Sequence, residues 1–433
     1  MSLLTWFDAQ DGNFDNKFSA FMNRRSAQGE AGTTDIVRDI IYNVKQHGDS
    51  ALLDYTQRFD HMTLHAHTMR ISHDEIDNAY AQCSKKIKEA LSFAAERITE
   101  YHRHQVPKDW SYHDEYDNKL GMRWSAVERA GIYVPGGKAS YPSSVLMNAL
   151  PARAAGVKHI TMVVPTPNNE INPAILVAAH LCGIDEIYRI GGAHAVAALA
   201  LGTDTIQKVD VIVGPGNQYV AEAKRQLFGV VGIDMVAGPS EILVIADGSI
   251  NPRWVAADML SQAEHDELAQ SIMLCTDKEY ALQVQEALRD ILNTLPRKHI
   301  AQQSLKNFGA IIVAKDSQHV CNIANDIAAE HLELLVEDSE YYLDHIRHAG
   351  AIFIGAHTPE AIGDYVAGPS HVLPTTQTAH YASGLSVYHF MKKTSLIECN
   401  KRGFNALAEA ASALAECEGL GAHQLSVDIR SNK

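Results

Sequence analysis

The sequence predicts an α/β protein in which parallel strands are covered by helices, with a mainly helical N-terminal region and a helical C-terminal tail. Two observations predict this fold. From about residue 122, short β-branched runs such as Ile160–Pro165 alternate with helical stretches such as Pro173–Leu181. In the first 118 residues and again near the end, apolar residues recur at helical spacing. We therefore expect βαβ units whose strands are buried on both faces.

The N-terminal region carries two helical patterns, one from Asp35 to Val44 and one from about Ser72 to His104. The predicted strands that follow lie in the segments ITMVVP, EIYRIGG, VDVIVGPGN, EILVIAD, SIMLC, AIIVA and AIFIG. Right-handed crossovers place the carboxyl ends of parallel strands along one edge, where we expect ligands to bind. The tail is predicted to form a helix over Gly403–Glu416 and a short strand over LSVDIR.

Composition excludes several classes of function. The 433 residues carry a formal net charge of -15, which disfavours nucleic acid and anionic membranes as partners. Six cysteines include no C-x-x-C pair, which argues against a thiolate zinc site and a disulfide framework. No secretory signal is visible at the N-terminus, and the apolar runs are too short to span a bilayer. These features predict a soluble, cytoplasmic protein.

Three glycine-rich turns follow predicted strands, at Val134–Gly137, Ile190–His194 and Val213–Asn217. Glycine after a strand allows backbone amides to approach a phosphate or sugar closely. None of the turns has G-x-G-x-x-G spacing, and each alone fits an ordinary tight turn. Three turns at one sheet edge nevertheless favour a cofactor crevice.

Four polar groups could carry chemistry, although each alone also fits a solvated surface or a helix cap. Gln262 and His265 share a face of a predicted helix, as two metal ligands would. The pair Glu330–His331, where a helix gives way to the strand Leu332–Val336, suits general-base catalysis. The remaining two groups are the loop Gly363–Pro374 with Asp364 and His371, and a glycine-rich segment with Glu418 and His423.

Together these segments resemble the histidinol dehydrogenase family over nearly the whole chain, most densely from Gly131 to Pro374. The passages that carry the resemblance are GIYVPGGKASYPSSVLMNALPARAAGV, GGAHAVAALALGT, VGPGNQYVAEAKRQ, GIDMVAGPSEILVIAD, DMLSQAEHD, AAEHLEL, GDYVAGPSHVLPT and EGLGAH. The resemblance implies two incomplete Rossmann-like domains. A helical region at 1–118 contributes to the first domain, 119–240 binds NAD, 241–380 is the catalytic and metal domain, and 381–433 is a tail exchanged with the partner subunit.

The implied reaction is two successive NAD-dependent oxidations of L-histidinol, through L-histidinal, to L-histidine. The resemblance assigns one zinc ion per subunit to Gln262, His265, Asp364 and His423, and these residues also belong to the substrate site. His331 is the implied general base, and it too contacts the substrate. Zinc has no redox chemistry and would orient the substrate.

Further roles follow from the same resemblance. Glu330 is implied to activate water for hydration of the aldehyde. The remaining implied roles are substrate contact for Ser240, His371 and Glu418, and NAD contact for Tyr133, His194 and Asn217. Members of the family form homodimers, in which Glu418 and His423 would serve the neighbour's active site.

The chain departs from the family pattern at two positions. His194 stands where glutamine is usual, and an imidazole does not reproduce an amide's donor and acceptor together. Ser370, which follows Pro369, stands where asparagine commonly precedes the loop histidine.

Two alternatives remain from the sequence. One is a dehydrogenase of the same fold acting on another small alcohol, such as a sulfonated propanediol, although Glu418 near His423 favours a substrate with an amine. The other is a zinc hydrolase that uses Glu330 without a nicotinamide, against which the three glycine-rich turns argue.

Overall fold

A computed structural model describes residues 3–26, 32–136, 141–184 and 186–431. The chain divides into two compact units, one made of Met1–Gln105 with Glu128–Phe390 and one made of Val106–Val127 with Met391–Lys433. The predicted α/β class, with parallel sheets and helical terminal regions, is confirmed. The predicted division into four parts stays a prediction. None of the described helices is long and apolar enough to cross a bilayer.

The first unit begins with one strand and a series of helices. The strand β1 (Thr5–Asp8) is followed by α1 (Phe14–Ser26), α2 (Thr33–His47), α3 (Asp49–Asp60), α4 (Ala66–Met69), α5 (His73–Gln82) and α6 (Lys85–Arg103). The single helical pattern predicted from Ser72 to His104 is therefore two helices. They separate because Ser72 and Ser84 each cap a new helix, with side-chain oxygens accepting from the backbone N–H of Glu75 and Ile87.

Five parallel strands form the first sheet, in the order β6-β5-β4-β7-β8. Its strands are β4 (Arg129–Tyr133), β5 (His159–Val163), β6 (Glu186–Tyr188), β7 (Val211–Val213) and β8 (Gly232–Ile233). The connecting helices are α7 (Pro142–Ala155), α8 (Pro173–Leu181), α9 (Gly192–Leu201) and α10 (Gln218–Leu227), and a short 3-10 turn covers Pro167–Asn169. The three glycine-rich turns follow β4, β6 and β7, so they share the carboxyl edge of one sheet, as predicted.

Six parallel strands form the second sheet, in the order β1-β11-β10-β9-β12-β13. The strands not yet given are β9 (Glu241–Ala246), β10 (Gln270–Cys275), β11 (Ala310–Val313), β12 (His331–Leu335) and β13 (Ala351–Ile354). Its helices are α11 (Pro252–Ala263), α12 (Lys278–Leu292), α13 (Lys298–Phe308), α14 (Ser317–Ile327), α15 (Ser339–His345) and α16 (Glu360–Tyr365); 3-10 turns follow at Thr378–His380 and Val387–Phe390. The edge strand β1 is too short to be recognised from its sequence, TWFD.

Both faces of the second sheet are buried. Along β9, Leu243 and Ile245 pack into one apolar cluster, whereas Ile242 and Val244 pack into another on the opposite face. Successive side chains of a strand point to opposite faces, so a continuous apolar run is the pattern expected when helices cover both. The resulting rigid sheet positions the residues at the start of each strand.

The second unit contains an antiparallel sheet in the order β14-β3-β2 and two helices. The elements are β2 (Trp110–His113), β3 (Lys119–Ala126), β14 (Met391–Glu398), α17 (Lys401–Cys417) and α18 (Gly421–Asp428). The predicted helix over Gly403–Glu416 is confirmed, but the strand predicted over LSVDIR is wrong. That segment lies mostly in α18, which pairs with α17 after a turn at Gly419, where φ is 70°. A hydrogen bond from Ser412 to Asp428 (2.8 Å) ties the two helices together.

Candidate active site

Glu330 and His331 lie at the amino-terminal start of β12, three residues beyond the end of α14. The predicted change from helix to strand at this pair is confirmed. The expectation that ligand-binding groups gather at the carboxyl ends of the strands is wrong for this pair, since His331 is the first residue of its strand. The candidate site therefore uses the amino edge of the six-stranded sheet, whereas the glycine-rich turns use the carboxyl edge of the other sheet.

The backbone of Glu241, the first residue of β9, holds both members of this pair. Its N–H donates to Oε2 of Glu330 (3.0 Å), and its carbonyl oxygen accepts from Nδ1 of His331 (3.0 Å). A carbonyl oxygen can only accept, so Nδ1 carries the hydrogen and the neutral ring keeps its lone pair on Nε2. The Nε2 atom is buried and has no hydrogen-bond partner within the described part of the chain. His331 is thus held in the tautomer that a general base requires.

Three carboxylates surround the His331 ring. Nδ1 lies 3.6 Å from Oε1 of Glu360 and 3.8 Å from Oε2 of Glu330, and Nε2 lies 3.7 Å from Oδ1 of Asp364. Burial lowers the pKa of His331, but the nearby carboxylates, first Glu360 and then Glu330 and Asp364, outweigh it and raise the pKa well above its ordinary value. These carboxylates thereby make the neutral ring a stronger base and stabilise the positive charge that it carries after accepting a proton.

Glu330 is 5% exposed, and burial is the main reason that its pKa is raised to about 7. The positive charge of His331 and the hydrogen bond from Glu241 oppose this rise, while the negative charges of Glu241 and Asp364 add to it. A carboxyl group whose pKa lies near neutrality can both accept and return a proton during a reaction. This behaviour suits activation of a water molecule.

A group of residues that could hold a metal ion lies beside His331; we refer to it as the metal-binding group. One ligand atom each from His265, Glu360 and Asp364 lie within 4.8 Å of one another. Burial lowers the pKa of His265, which keeps its ring neutral and able to coordinate. One turn earlier, Gln262 is fully buried, and neither atom of its amide has a partner among the described residues. An amide buried at the cost of two unmade hydrogen bonds fits a residue whose partner is a metal ion.

Two sequence expectations about this group need correction. Gln262 lies in the last turn of α11, but His265 does not belong to the helix; it follows it in a turn in which its N–H donates to the carbonyl of Gln262 (3.2 Å). Sequence reasoning also missed Glu360. Glu360 and Asp364 are four residues apart on α16 and so share a face of that helix, a spacing that could have revealed the pair.

His371 is fixed by both of its ring nitrogens. Nδ1 donates to the carbonyl of Asp364 (3.0 Å), and Nε2 lies 3.4 Å from Oγ of Ser144 on α7. The preceding residue, Ser370, donates to the carbonyl of Met147 on the same helix (3.2 Å). The loop is therefore seated on α7, and a substrate group could bond to His371 only by replacing the Ser144 hydroxyl. The predicted substrate contacts of His371 and Ser240 stay predictions.

The glycine-rich turns of the other sheet pack on one another. The Tyr133 hydroxyl accepts from the N–H of Gly192 (3.0 Å), and a Cβ on Gly214 would lie 2.2 Å from the Tyr133 carbonyl oxygen. A Cβ on Gly136 or Gly191 would lie 2.8 Å or 2.4 Å from Pro165. These glycines are therefore required by packing within the crevice, whatever ligand it holds. Gly137, the last residue of the first predicted turn, lies outside the described residues.

His194, predicted to contact NAD, is 1% exposed. Its Nε2 lies 3.4 Å from Oγ1 of Thr56, and its ring lies against Tyr55 and Phe59 at centroid distances of 5.6 and 6.1 Å. Burial lowers its pKa to about 3, so the ring is neutral at physiological pH. The third predicted NAD residue, Asn217, is exposed and caps α10 by accepting from two backbone N–H groups.

Glu418 and His423 belong to the second unit, where Glu418 directly follows α17 and His423 lies in the first turn of α18. Both side chains are exposed. The structure thus brings together His265, Asp364 and the Glu330–His331 pair within the first unit, and it adds Glu360 to them. The participation of Glu418 and His423 stays a prediction.

Comparisons with known proteins identify the family of the chain. The family model described as histidinol dehydrogenase matches residues 23–431. Histidinol dehydrogenase of Rhodospirillum rubrum is 53% identical over 98% of this chain and 98% of its own length, and that of Gluconobacter oxydans is 52% identical over 98% and 99%. The crystal structure of histidinol dehydrogenase from Elizabethkingia anophelis superposes with a TM-score of 0.94 at 38% identity, covering 99% of this chain and 98% of that one. The chain belongs to the histidinol dehydrogenase family.

Proposed function

We propose that the chain oxidises L-histidinol through L-histidinal to L-histidine, reducing two NAD molecules. Membership of the family makes it an NAD-dependent oxidoreductase of histidine biosynthesis. The observation that carries the assignment of roles is the backbone of Glu241, which fixes Glu330 and His331 beside the metal-binding group. No observation favours either alternative, the dehydrogenase of another small alcohol or the zinc hydrolase.

His331 serves as the general base in both oxidations. Its Nδ1–H is held by a carbonyl oxygen, which leaves Nε2 to accept the proton of the substrate hydroxyl as hydride leaves. The surrounding carboxylates stabilise the imidazolium that forms, because opposite charges within about 4 Å favour the charged ring. The same ring accepts the proton of the aldehyde hydrate in the second oxidation.

Glu330 takes a proton from water so that it can add to the aldehyde. Its carboxylate is fixed at one oxygen by the Glu241 N–H, and burial raises its pKa to about 7, which strengthens it as a base. The carboxylate therefore acts between the two hydride transfers, at the step where the aldehyde must be hydrated.

Gln262, His265 and Asp364 hold one zinc ion, with His423 as the fourth protein ligand. Oxygen and nitrogen donors without thiolate suit a zinc site that keeps positions open for substrate. Zinc would orient the amino alcohol and would supply positive charge to the site. Glu360 completes the wall of this site and holds His331 through its negative charge.

NAD lies along the three glycine-rich turns, against Tyr133, His194 and Asn217. The meeting of these turns at one sheet edge supports the assignment. The seating of the His371 loop on α7, the helix that follows the first turn, supports continuity between the cofactor crevice and the substrate site. His194 acts from within the wall of the crevice, since its ring is buried.

The active protein is a homodimer whose C-terminal tails contribute Glu418 and His423 to the neighbouring site. Exposed apolar side chains in the C-terminal tail support a covering partner: Leu414, Leu425 and Ile429 are 65%, 59% and 61% exposed. Glu418 would contact the substrate ammonium group. We also propose a cytoplasmic location, supported by six unpaired cysteines.

Replacing Glu330 with Gln should slow L-histidinal oxidation by about 100-fold or more, because a general base contributes about 10²–10⁴-fold. Hydride transfer from L-histidinol should fall much less. Single-turnover NADH formation with each substrate measures the two effects. The exposed Glu337→Gln serves as the control and should match the unmodified protein. Equal losses in the two half-reactions would contradict the role of Glu330 in hydration.

Replacing Gln262 with Leu should lower bound zinc by at least tenfold while the protein stays folded. Leucine removes an amide that lacks protein partners, so the change leaves no additional buried polar group unsatisfied. Elemental analysis after dialysis gives the zinc content, and thermal unfolding checks the fold. Chelation of the unmodified protein should abolish activity and added zinc should restore it. Full zinc content in Gln262→Leu, with the exposed Gln303→Leu as control, would remove Gln262 from the ligand set.

Replacing His194 with Gln should make the protein less sensitive to acid. The pKa of His194 is about 3 in the folded chain, against about 6.5 for an unfolded histidine, so the unfolded state binds the extra proton between these values. His194 therefore lowers the free energy of unfolding progressively as pH falls below about 6.5, by up to about 1.4 kcal/mol per pH unit. Unfolding midpoints of His194→Gln and of the unmodified protein should be measured at pH 7, 6 and 5. The midpoint of the variant should exceed that of the unmodified protein by an amount that grows as the pH falls. If the exposed His299→Gln gave the same divergence, burial of His194 would not be the cause.

Mixing Glu330→Gln with His423→Ala protein should restore activity if each site takes its tail from the partner. Mixed dimers then contain one site with both intact residues, so up to about half of the sites in each mixed dimer recover. Activity should be measured after subunit exchange has been demonstrated by native mass spectrometry. Recovery must be absent when Glu330→Gln is mixed with a chain carrying both changes. No recovery after full exchange would argue against shared sites.

A further inference from the structure

A buried ion pair lies next to the glycine-rich turn that follows β7. Lys224 of α10 pairs with Asp234, which follows β8, and their side chains are 2% and 0% exposed. Removing two charges from water is costly, so a buried pair is weak evidence for stability by itself. Its other contacts therefore indicate what the pair holds in place.

The pair binds both polar backbone groups of Gly214. Nζ of Lys224 donates to the Gly214 carbonyl oxygen (2.9 Å), and Oδ2 of Asp234 accepts from the Gly214 N–H (2.8 Å). The second carboxylate oxygen, Oδ1, accepts from the N–H of Met235 (2.6 Å). One peptide position of the turn is thus fixed from two sides by opposite charges.

Gly214 is also the tightest point of the crevice. Its φ is +111°, a conformation that favours glycine, and it lies directly against the Tyr133 carbonyl. The Tyr133 hydroxyl in turn accepts from Gly192 at the start of α9. A shift of Gly214 would therefore displace Tyr133 and the first residues of α9. It would also displace Asn217, which caps the helix that carries Lys224.

We propose that Lys224 and Asp234 are positioning residues for NAD, which hold the Gly214–Asn217 turn in the shape that binds the cofactor. The inference rests on the proposed location of NAD at the glycine-rich turns. Both side chains are almost completely buried, so we expect their loss to affect NAD binding and to leave the chemical steps and histidinol binding largely unchanged.

The same sheet offers a matched control. Arg129, the first residue of β4, pairs with Glu186, the first residue of β6, at a distance of 2.7 Å. This pair is partly buried and lies at the amino edge of the sheet, opposite the glycine-rich turns. Loss of this pair therefore measures how much an ion pair in this sheet contributes to stability, without an effect on the glycine-rich turns.

The test uses the full-length, zinc-loaded protein with Lys224→Met and Asp234→Asn combined, because the double variant leaves no lone buried charge. Asparagine can still accept from the Gly214 N–H, but the donor to the Gly214 carbonyl is gone. The expected result is a rise of at least fivefold in both the KM and the calorimetric Kd for NAD. The kcat and the KM for L-histidinol should stay within twofold. Glu186→Gln should leave NAD binding unchanged, even where its melting temperature falls.

Asn217→Ala separates the proposed location of NAD from the proposed positioning role of Lys224 and Asp234. If Asn217→Ala weakens NAD binding and the double variant does not, the positioning role is overturned while the location of NAD stands. If neither change weakens NAD binding, both are overturned. If the double variant and Glu186→Gln lower the melting temperature equally and leave NAD binding intact, the buried pair is structural only. Should the double variant not fold, Lys224→Gln combined with Asp234→Asn carries the same comparison, because it also removes both buried charges together.

Discussion

The backbone of one residue, Glu241, fixes the chemistry of the site. Its N–H holds the Glu330 carboxylate and its carbonyl holds the His331 ring, because β9 and β12 are neighbouring parallel strands in which His331 lies opposite Ile242. A slip of one residue in this register would separate both contacts and turn the His331 side chain to the other face of the sheet. The apolar packing on the two faces of the sheet sets that register. The hydrophobic core therefore also determines the tautomer of the His331 ring. The Glu241 side chain makes a further contact by accepting from the N–H of Thr376 (2.8 Å), close to the loop that carries His371.

Burial then decides how the acids of the site behave. Glu330 and Glu360 are 5% and 2% exposed, and burial is the main reason that their pKa values are raised to about 7 and about 8. Among the described residues in direct contact, His331 opposes this rise in both pKa values when its ring carries a proton. A cluster of acids around one imidazole is unfavourable in an apolar interior unless a positive charge joins it. The donor set of His265, Asp364 and the unpartnered Gln262 amide is what a divalent cation would use, and its positive charge would offset these buried acids.

The sequence predicted much of this and failed at identifiable points. Buried parallel strands and their helices follow from apolar periodicity, and the members of the site lie in motifs long enough to be recognised. Periodicity failed at LSVDIR, where alternating apolar residues suit a strand but contacts with α17 impose a helix. The expectation of ligand-binding groups at the carboxyl ends of the strands failed for Glu330–His331, although the predicted change from helix to strand already placed this pair at the start of its strand. Glu360 was missed since its role depends on the fold, which brings α16 to the start of β12. His194 was identified as a departure, but its burial beside Thr56 depends on the packing of α3 on α9.

Pro165 occupies the space between Gly136 and Gly191, where a Cβ on either glycine would collide with its ring or backbone. A glycine in this crevice can therefore be intolerant of substitution because a larger residue would collide with Pro165. Such intolerance is not evidence that a ligand lies close to the glycine. A mutational scan would score both glycines as essential even if no phosphate ever came near them. Assigning ligand contacts here requires changes that alter chemistry without adding volume, and the hydroxyl of Tyr133 and the amide of Asn217 offer such positions.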